Sequence, residues 1–213
     1  MANKNHRFKH LLNGLKSDVA LLARFGKGDA SAFESLYERY KDQVFNHLCD
    51  QLGSLGNKQT IAEEIAQEVW TAVIRGADRF QDRSGNENSS FRSWLFSIVH
   101  RRVADFWRSQ YKQPDTESAE FDADQVAEES SNLEQARLIQ ELMRGIDELP
   151  VEQRQSFLLR EEGFSYREIA AITETNEETV KSRLRYAKKI LQEKLNNDET
   201  PNKQANKMEH QYD

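Results

Sequence analysis

The chain has 213 residues, of which 30 are Lys or Arg and 36 are Asp or Glu, so its formal net charge is −6. Its apolar fraction of 37% is below the ~45–50% usual for globular domains, which predicts that part of the chain lies outside any core. No apolar run of ~18 residues is present, and no apolar segment follows the basic start, so we expect neither a membrane span nor a secretory signal.

Prolines and glycines are scarce, with three and nine in the whole chain. This disfavours a turn-rich β-sandwich and favours long helices. We therefore predict an all-α fold of two small helical domains joined by an acidic flexible linker. The predicted parts are a basic N-terminal arm, a first helical block, the linker, a second block with a helix-turn-helix, and a disordered tail: residues 1–16, 17–112, 113–136, 137–195 and 196–213.

Apolar residues at three- and four-residue spacing predict four helices in the first block. Ser17 is a candidate cap for a short helix over residues 18–25, and an apolar stripe marks the second helix over 33–52. The third begins near Lys58 and has an acidic outer face. The fourth covers about 90–111.

The fourth helix mixes cations with aromatic residues. Arg101, Arg108 and Lys112 share one face, and Trp94 and Trp107 are interleaved with them. Cations neutralise phosphates and aromatic rings stack on bases, so this pattern suits single-stranded nucleic acid. The alternative is that the aromatic residues belong to the core, which we favour for Trp94 and leave open for Trp107.

The loop of residues 80–90 is polar and lies between the third and fourth helices. It begins at Phe80, and its amides at Asn86 and Asn88 can reach base edges. A plain connection between two helices is the alternative.

Residues 113–136 hold eight acidic residues and no Lys or Arg, so the rest of the chain carries −6 + 8 = +2. An acidic chain therefore still contains basic blocks that can bind nucleic acid. Few large apolar residues are present to offset the ordering entropy, which predicts a flexible segment. The alternative is that this run mimics nucleic acid and covers a basic face until a partner displaces it.

The second block has the pattern of a helix-turn-helix. One helix ends at Pro150 and another covers 151–162. Capping boxes starting at Ser165 and Thr175, each with Glu three residues on, then open a short and a long helix. Asn176 is an alternative cap for the long one.

The last helix is basic, with six cations against Glu193 between residues 179 and 195. Short donors near its start suit base edges in a major groove, and longer cations suit phosphates. A solvated charged helix is the alternative. The predicted contacts are Lys181, Ser182, Arg183, Arg185 and Lys188.

Five strings in this chain resemble the extracytoplasmic-function class of bacterial sigma factors, the compact members of the sigma-70 family. They are IAEEIAQEVW (61–70), FRSWLFSI (91–98), LPVEQR (149–154), YREIA (166–170) and ETVKSRL (178–184). The resemblance implies a sigma factor that directs core RNA polymerase to promoters and melts DNA, and it implies an anti-sigma partner. From the motifs that the sequence lacks we expect no cofactor, no bound metal and no enzymatic activity.

The resemblance also implies roles for single positions. The third helix matches the segment that docks on polymerase, at Glu64, Gln67 and Glu68, although many relatives have Asp at the first of these. The loop and fourth helix match the part that opens the minus-ten element, and the last helix matches the minus-thirty-five reader. The minus-ten set is Phe80, Asn86, Asn88, Arg101, Trp107, Arg108 and Lys112.

Two departures from the family's pattern stand out. The loop after Phe80 is several residues longer than usual. Many relatives have Gly where Glu174 stands, and a non-Gly residue in a left-handed conformation there costs about 1–2 kcal/mol.

The mechanism implied by the resemblance is bivalent, since two weak readers held on one polymerase gain affinity from effective concentration. A flexible linker of 24 residues spans roughly 25–30 Å. Promoter elements two helical turns apart lie ~60–80 Å from each other. The linker is therefore expected to extend.

Other functional classes fit less well. A stand-alone helix-turn-helix regulator needs only residues 150–195 and has no use for the acidic third helix. An enzyme is not expected, since neither a Gly-rich phosphate loop nor a nucleophile elbow is found. His6 and His10 have helical spacing but lack a third ligand, and Cys49 fits a packed thiol in a reducing, cytoplasmic environment.

Overall fold

The computed structural model describes residues 16–80, 87–111 and 132–198, and this part of the chain is built from α-helices, one 3₁₀ turn and loops, without β-strands. The all-α prediction is confirmed. The helices are α1 (Asp18–Phe25), α2 (Ala30–Leu52), α3 (Lys58–Gly76), α4 (Glu87–Tyr111), α5 (Asn132–Asp147), α6 (Val151–Glu161), α7 (Tyr166–Ile172) and α8 (Glu177–Asp198), with the 3₁₀ turn at Ala77–Arg79.

In the first half, α1 to α4, the apolar sides that the sequence predicts for these helices pack together in a core. Ser17 caps α1, since its hydroxyl oxygen accepts the backbone N–H of Ala20 at 3.3 Å. The buried Asp18 accepts a hydrogen bond from the Tyr40 hydroxyl at 2.5 Å and pairs with Arg39. Burial, together with this bond, raises the pKa of Tyr40. These contacts join the start of α1 to the middle of α2.

The second half, α5 to α8, has an apolar cluster of its own. Its fully or nearly buried members lie on α5, α6, α8 and the turn before α6: Ile146, Leu149, Leu158, Ala187 and Leu191. The capping box at Ser165 is present with both reciprocal hydrogen bonds to Glu168. For α8, the Oδ1 atom of Asn176 accepts the Thr179 N–H at 2.8 Å, so the alternative cap is the one used.

Two helices begin earlier than predicted. The fourth helix starts at Glu87 rather than near Ser90, and α5 starts at Asn132, inside the stretch predicted as linker. Residues 134–136 are Glu, Gln and Ala, which are good helix formers, and extending a nucleated helix costs little.

The two halves pack against each other and share a core. Helix α4 packs on α7, and α2 packs on α6. Phe164, in the turn after α6, is 1% exposed and its ring lies 5.0 Å from that of Phe96 on α4. The sequence predicts two tethered blocks, and it contains no local pattern for a contact between segments this far apart in the chain.

Several predicted segments fall outside the described residues: the N-terminal arm up to residue 15, most of the loop after Phe80, the linker up to residue 131, and the tail from 199. A membrane-spanning helix is absent from the described part of the chain, because every helix there is too short or too polar for one.

Candidate nucleic-acid interface

Helix α8 separates a buried side from a basic side. Val180, Leu184 and Ala187 are buried. On the opposite side Lys181, Arg185 and Lys188 are exposed, whereas Ser182 and Arg183 are half-buried. The start of the helix thus presents Lys181 and the half-buried Ser182, with the cations Arg185 and Lys188 behind them, an arrangement that suits a major-groove helix.

Local contacts orient two of these cations. The Lys181 ammonium donates to Glu178 at 2.7 Å, and this hydrogen bond and the carboxylate charge raise the Lys181 pKa. The Arg185 guanidinium lies 5.2 Å from the centroid of the exposed Tyr186 ring. Lys181 is therefore fully charged at neutral pH, and the Arg185 guanidinium lies beside an exposed aromatic ring.

The turn before α8 contains the residue singled out as a departure from the family's pattern. Glu174 has φ 53°, and it is the one non-glycine residue with positive φ in the described part of the chain. The left-handed conformation is therefore kept with a side chain that disfavours it. Its Oε1 accepts a hydrogen bond from the Arg101 Nε of α4 at 3.1 Å.

The predicted face of α4 is partly open and partly covered. Arg108 is exposed and pairs with Asp105 at 2.6 Å. Trp107 is half-buried, and the Arg154 guanidinium of the second half lies 5.7 Å from its ring centroid. The Arg101 side chain is 62% exposed despite its pairing with the turn.

Phe80 lies at the base of the loop, in an aromatic cluster. Its ring is 5.2 Å from that of Trp94 and 6.4 Å from that of Phe91. Trp94 packs against the core, and a Cβ atom added at Gly76 would come within 2.9 Å of its ring. Asn86, Lys112 and the side chain of Asn88 fall outside the described residues.

The polar face of α3 is exposed as the sequence predicts. Glu64, Gln67 and Glu68 are all exposed, and the Glu68 carboxylate lies 3.6 Å from the Arg102 guanidinium of α4. Ile74, two turns beyond Gln67, is 48% exposed. Sequence reasoning missed it, although its position off the apolar stripe of α3 is a usable signal.

A second exposed apolar surface lies on α5, where Leu138, Ile139 and Met143 are 52%, 57% and 45% exposed. The apolar spacing predicted a helix here. It did not predict that these three apolar side chains would remain exposed within the described part of the chain. Cys49 is half-buried against the core, and burial raises its thiol pKa, as befits a packed residue. His6 and His10 lie outside the described residues.

Comparisons with known proteins agree on one family. Residues 36–113 match sigma-70 region 2, and residues 139–191 match sigma-70, region 4.

Curated relatives match most of the chain. The ECF RNA polymerase sigma-E factor of Escherichia coli (strain K12) is 30% identical over 190 residues, which cover 84% of this chain and 94% of the relative. The ECF RNA polymerase sigma factor SigK of Mycobacterium sp. (strain KMS) is 29% identical over 171 residues, with 78% and 83% covered.

A solved structure shares the fold. CnrH, determined in complex with the cytosolic domain of CnrY, matches with a TM-score of 0.61 and 22% identity. The match covers 86% of this chain and 99% of CnrH.

Proposed function

The chain belongs to the extracytoplasmic-function class of RNA polymerase sigma factors, and from this we propose that it directs core RNA polymerase to specific promoters and initiates transcription by melting DNA. The observation that carries the proposal is the match of one chain, in order, to sigma-70 regions 2 and 4. The chain works by binding, so its mechanism needs no catalytic group of its own.

The proposed domain division follows the sequence. Residues 17–112 are the core-binding and minus-ten unit, and 137–195 are the minus-thirty-five unit. The basic arm, the acidic linker and the tail, at 1–16, 113–136 and 196–213, complete the division.

We assign polymerase docking to the exposed face of α3. Glu64, Gln67 and Glu68 present carboxylates and an amide to solvent on adjacent turns, which suits a basic and polar partner surface. Ile74 extends this face with apolar area. The exposed apolar side chains of α5 are a second candidate contact for a protein partner.

We assign the minus-ten element to α4 and the loop that precedes it. Arg101, Arg108 and Lys112 would neutralise phosphates of the separated strand, and Trp107 would stack on a base. Phe80 belongs to the same proposed set and packs on Trp94 in the aromatic cluster. Asn86 and Asn88 remain candidates for reading an unpaired base edge.

We assign the minus-thirty-five element to α8. Lys181, Ser182 and Arg185 would contact base edges, while Arg183 and Lys188 would contact phosphates. The support is the segregation of the helix into a buried side and a basic, exposed side.

We infer two further properties from the family. The chain acts where the polymerase acts, in the cytoplasm. It also answers to a protein partner of the anti-sigma type. The complex of CnrH, which shares this fold, with the cytosolic domain of CnrY is consistent with a protein partner.

The direct test is transcription by purified core polymerase on a promoter library, with and without the chain. We expect a defined set of promoters to depend on its addition. The second candidate, a stand-alone helix-turn-helix regulator, is favoured if no initiation depends on the chain while the full chain alone binds duplex DNA specifically.

A further inference from the structure

Helix α8 carries an exposed aromatic residue, Tyr186, to which no role has been assigned so far. Its side chain is 50% exposed, and it is a member of neither apolar core in the described part of the chain. Single exposed apolar residues are common on protein surfaces. The position of Tyr186 on the helix and the identity of its neighbour, and not its exposure alone, therefore decide what it does.

The position of Tyr186 follows from the helical period. The buried stripe of α8 is formed by four apolar residues at three- and four-residue spacing: Val180, Leu184, Ala187 and Leu191. Successive residues of a helix are rotated by about 100°, which places Ser182 opposite this stripe. Tyr186 lies one turn farther along, rotated by about 40° from Ser182, whereas Lys181 is rotated by about 100°. Tyr186 is thus nearer than Lys181 to the middle of the face that a major groove would receive.

The Arg185 guanidinium lies beside the Tyr186 ring, 5.2 Å from its centroid. A cation at this distance is attracted by the ring, so the two side chains orient each other. The Lys181 ammonium, by contrast, pairs with Glu178. In the part of the chain that the structure describes, no carboxylate pairs with Arg185. Arg185 and Tyr186 are therefore presented to solvent together, as a cation and an aromatic ring side by side.

A guanidinium and an aromatic ring recognise different bases in a major groove. The guanidinium donates two hydrogen bonds to O6 and N7 of guanine. An aromatic ring packs instead on the 5-methyl group of thymine, which is the apolar group that base pairs present in this groove. The tyrosine hydroxyl lies at the tip of the ring and can keep its hydrogen bonds to water or to a phosphate while the ring makes this contact.

We propose that Tyr186 is a specificity-determining residue of α8, and that its ring packs on the 5-methyl group of a thymine close to the base pair that Arg185 reads. This inference rests on the proposed function to the extent that α8 lies in a major groove. Neighbouring residues of a helix differ by about 1.5 Å in height, and base pairs are stacked about 3.4 Å apart. The thymine is therefore expected at the base pair adjacent to that of Arg185, or at the next one.

The test removes the methyl group from the DNA. Each thymine of a minus-thirty-five element selected in the promoter library is replaced in turn by deoxyuridine, which lacks the 5-methyl group and keeps every base-pairing atom. Fluorescence anisotropy gives the affinity of the polymerase holoenzyme for each labelled duplex. The holoenzyme is formed with the wild-type chain, with Tyr186→Ala, with Tyr186→Phe, or with Lys189→Ala. The last is the matched control, because Lys189 is an exposed residue of the same helix to which we assign no base contact.

For the wild type, we expect deoxyuridine at one thymine to weaken binding about fourfold, the effect of leaving one methyl-sized apolar group without its contact. Tyr186→Ala should bind the thymine and deoxyuridine duplexes equally. Alanine is a strong helix former, so this exposed substitution should leave α8 intact, with circular dichroism as the check. Tyr186→Phe and Lys189→Ala should discriminate between the two duplexes as the wild type does.

Three results would overturn the proposal. The first is a wild-type holoenzyme that binds every deoxyuridine duplex as tightly as its thymine parent. The second is a Tyr186→Ala variant that still discriminates between the two duplexes. The third is a loss of discrimination in Tyr186→Phe, which would assign recognition to the hydroxyl and not to the ring.

Failure of this inference can be told apart from failure of the proposed function. If no promoter depends on the chain, the same comparison is made on duplex DNA selected by the full chain without polymerase. Discrimination that depends on the Tyr186 ring in that experiment upholds the inference although the proposed function fails. If the chain does start transcription but its holoenzyme shows no methyl effect, the proposed function stands and the inference is wrong.

Discussion

His47 is a buried, uncharged residue in the contact between the halves. Burial is the main cause that lowers its pKa to about 3, and repulsion from His100 when protonated and from Arg92, both on α4, acts in the same direction. The Glu162 carboxylate, 3.8 Å away, favours the protonated ring, but it already interacts with Arg92 and Gln43. Burial prevails, and the folded chain holds a neutral imidazole.

This residue makes the folded chain sensitive to acid. In the unfolded chain a histidine has a pKa of ~6.5. Below that pH the unfolded state binds a proton at this residue, whereas the buried ring of the folded state stays unprotonated. Stability therefore falls as the pH drops from about 6.5 towards 3. The loss is about 1.4 kcal/mol per pH unit, or about 2 kcal/mol at pH 5.

We predict that His47→Gln removes this part of the acid sensitivity. The free energy of unfolding, measured with urea at pH 7 and pH 5, is expected to change by about 2 kcal/mol less in the variant than in the wild type. Each protein is compared with itself at the two pH values, so a loss of packing in the variant, which lowers its free energy of unfolding at both, cancels. If the free energy of unfolding changed by the same amount between pH 7 and pH 5 in both proteins, the prediction would be contradicted.

Arg185 is the α8 residue for which the clearest sequence-specific effect is expected. We predict that Arg185→Ala costs about 1–3 kcal/mol in promoter binding by the polymerase holoenzyme and relaxes preference at one base pair. Affinity across a set of single-base promoter variants is the measurement. Lys189→Ala is the control, because Lys189 is an exposed cation farther along α8 to which we assign no base contact. A uniform loss over all promoters would make Arg185 a phosphate contact instead.

At the scale of the element, α3 is a helix with two distinct sides. Ile65, Val69 and Val73 face the core, whereas Glu64, Gln67 and Glu68 face solvent. A core-facing stripe on one side is what the helical period requires. The acidic side contributes the ion pair of Glu68 with Arg102 of α4 but no core residue, and we assign it to polymerase.

We predict that Glu64→Lys weakens binding to core polymerase about tenfold, which corresponds to about 1.4 kcal/mol. Asp42→Lys, on the exposed side of α2, makes the same charge change away from the proposed docking face. Titration of each variant against labelled core polymerase gives the two affinities. A loss of equal size in both variants would show that net charge, not a docking surface, is responsible.

At the scale of the whole molecule, the two halves are expected to unfold together because Phe164 places an aromatic ring from the second half in the core of the first. Removing most of a buried Phe side chain typically costs about 3–5 kcal/mol. Such a loss is comparable with the total stability of a small domain, so it can make the two halves unfold in separate transitions.

We predict that Phe164→Ala uncouples the two halves. All three Trp residues lie in the first half, so their fluorescence reports that half, whereas far-UV circular dichroism reports every helix. In urea, the two curves should coincide for the wild type and separate for the variant. Phe164→Leu, which keeps most of the apolar volume, should remain close to the wild type. Coincident curves for Phe164→Ala would mean that the halves are not coupled through this residue.

What the sequence alone determined is local. Apolar spacing, the cap at Ser17 and the capping box at Ser165 predicted the helices and most of their ends, because helical period and capping act within a few neighbouring residues. The strings that resemble the sigma family likewise predicted the class to which the chain belongs. The sequence marked Glu174 only as a departure from the family's pattern, and the structure keeps a left-handed conformation at this residue.

The tertiary structure alone decided what the two halves do to each other. It placed Glu162 against Gln43, which is 119 residues away in the chain, and it covered Trp107. It also left Leu138 and Ile139 exposed on α5. No periodic pattern reports such pairings, because a contact between distant segments depends on how completed helices fit together and not on the residues next to it in sequence.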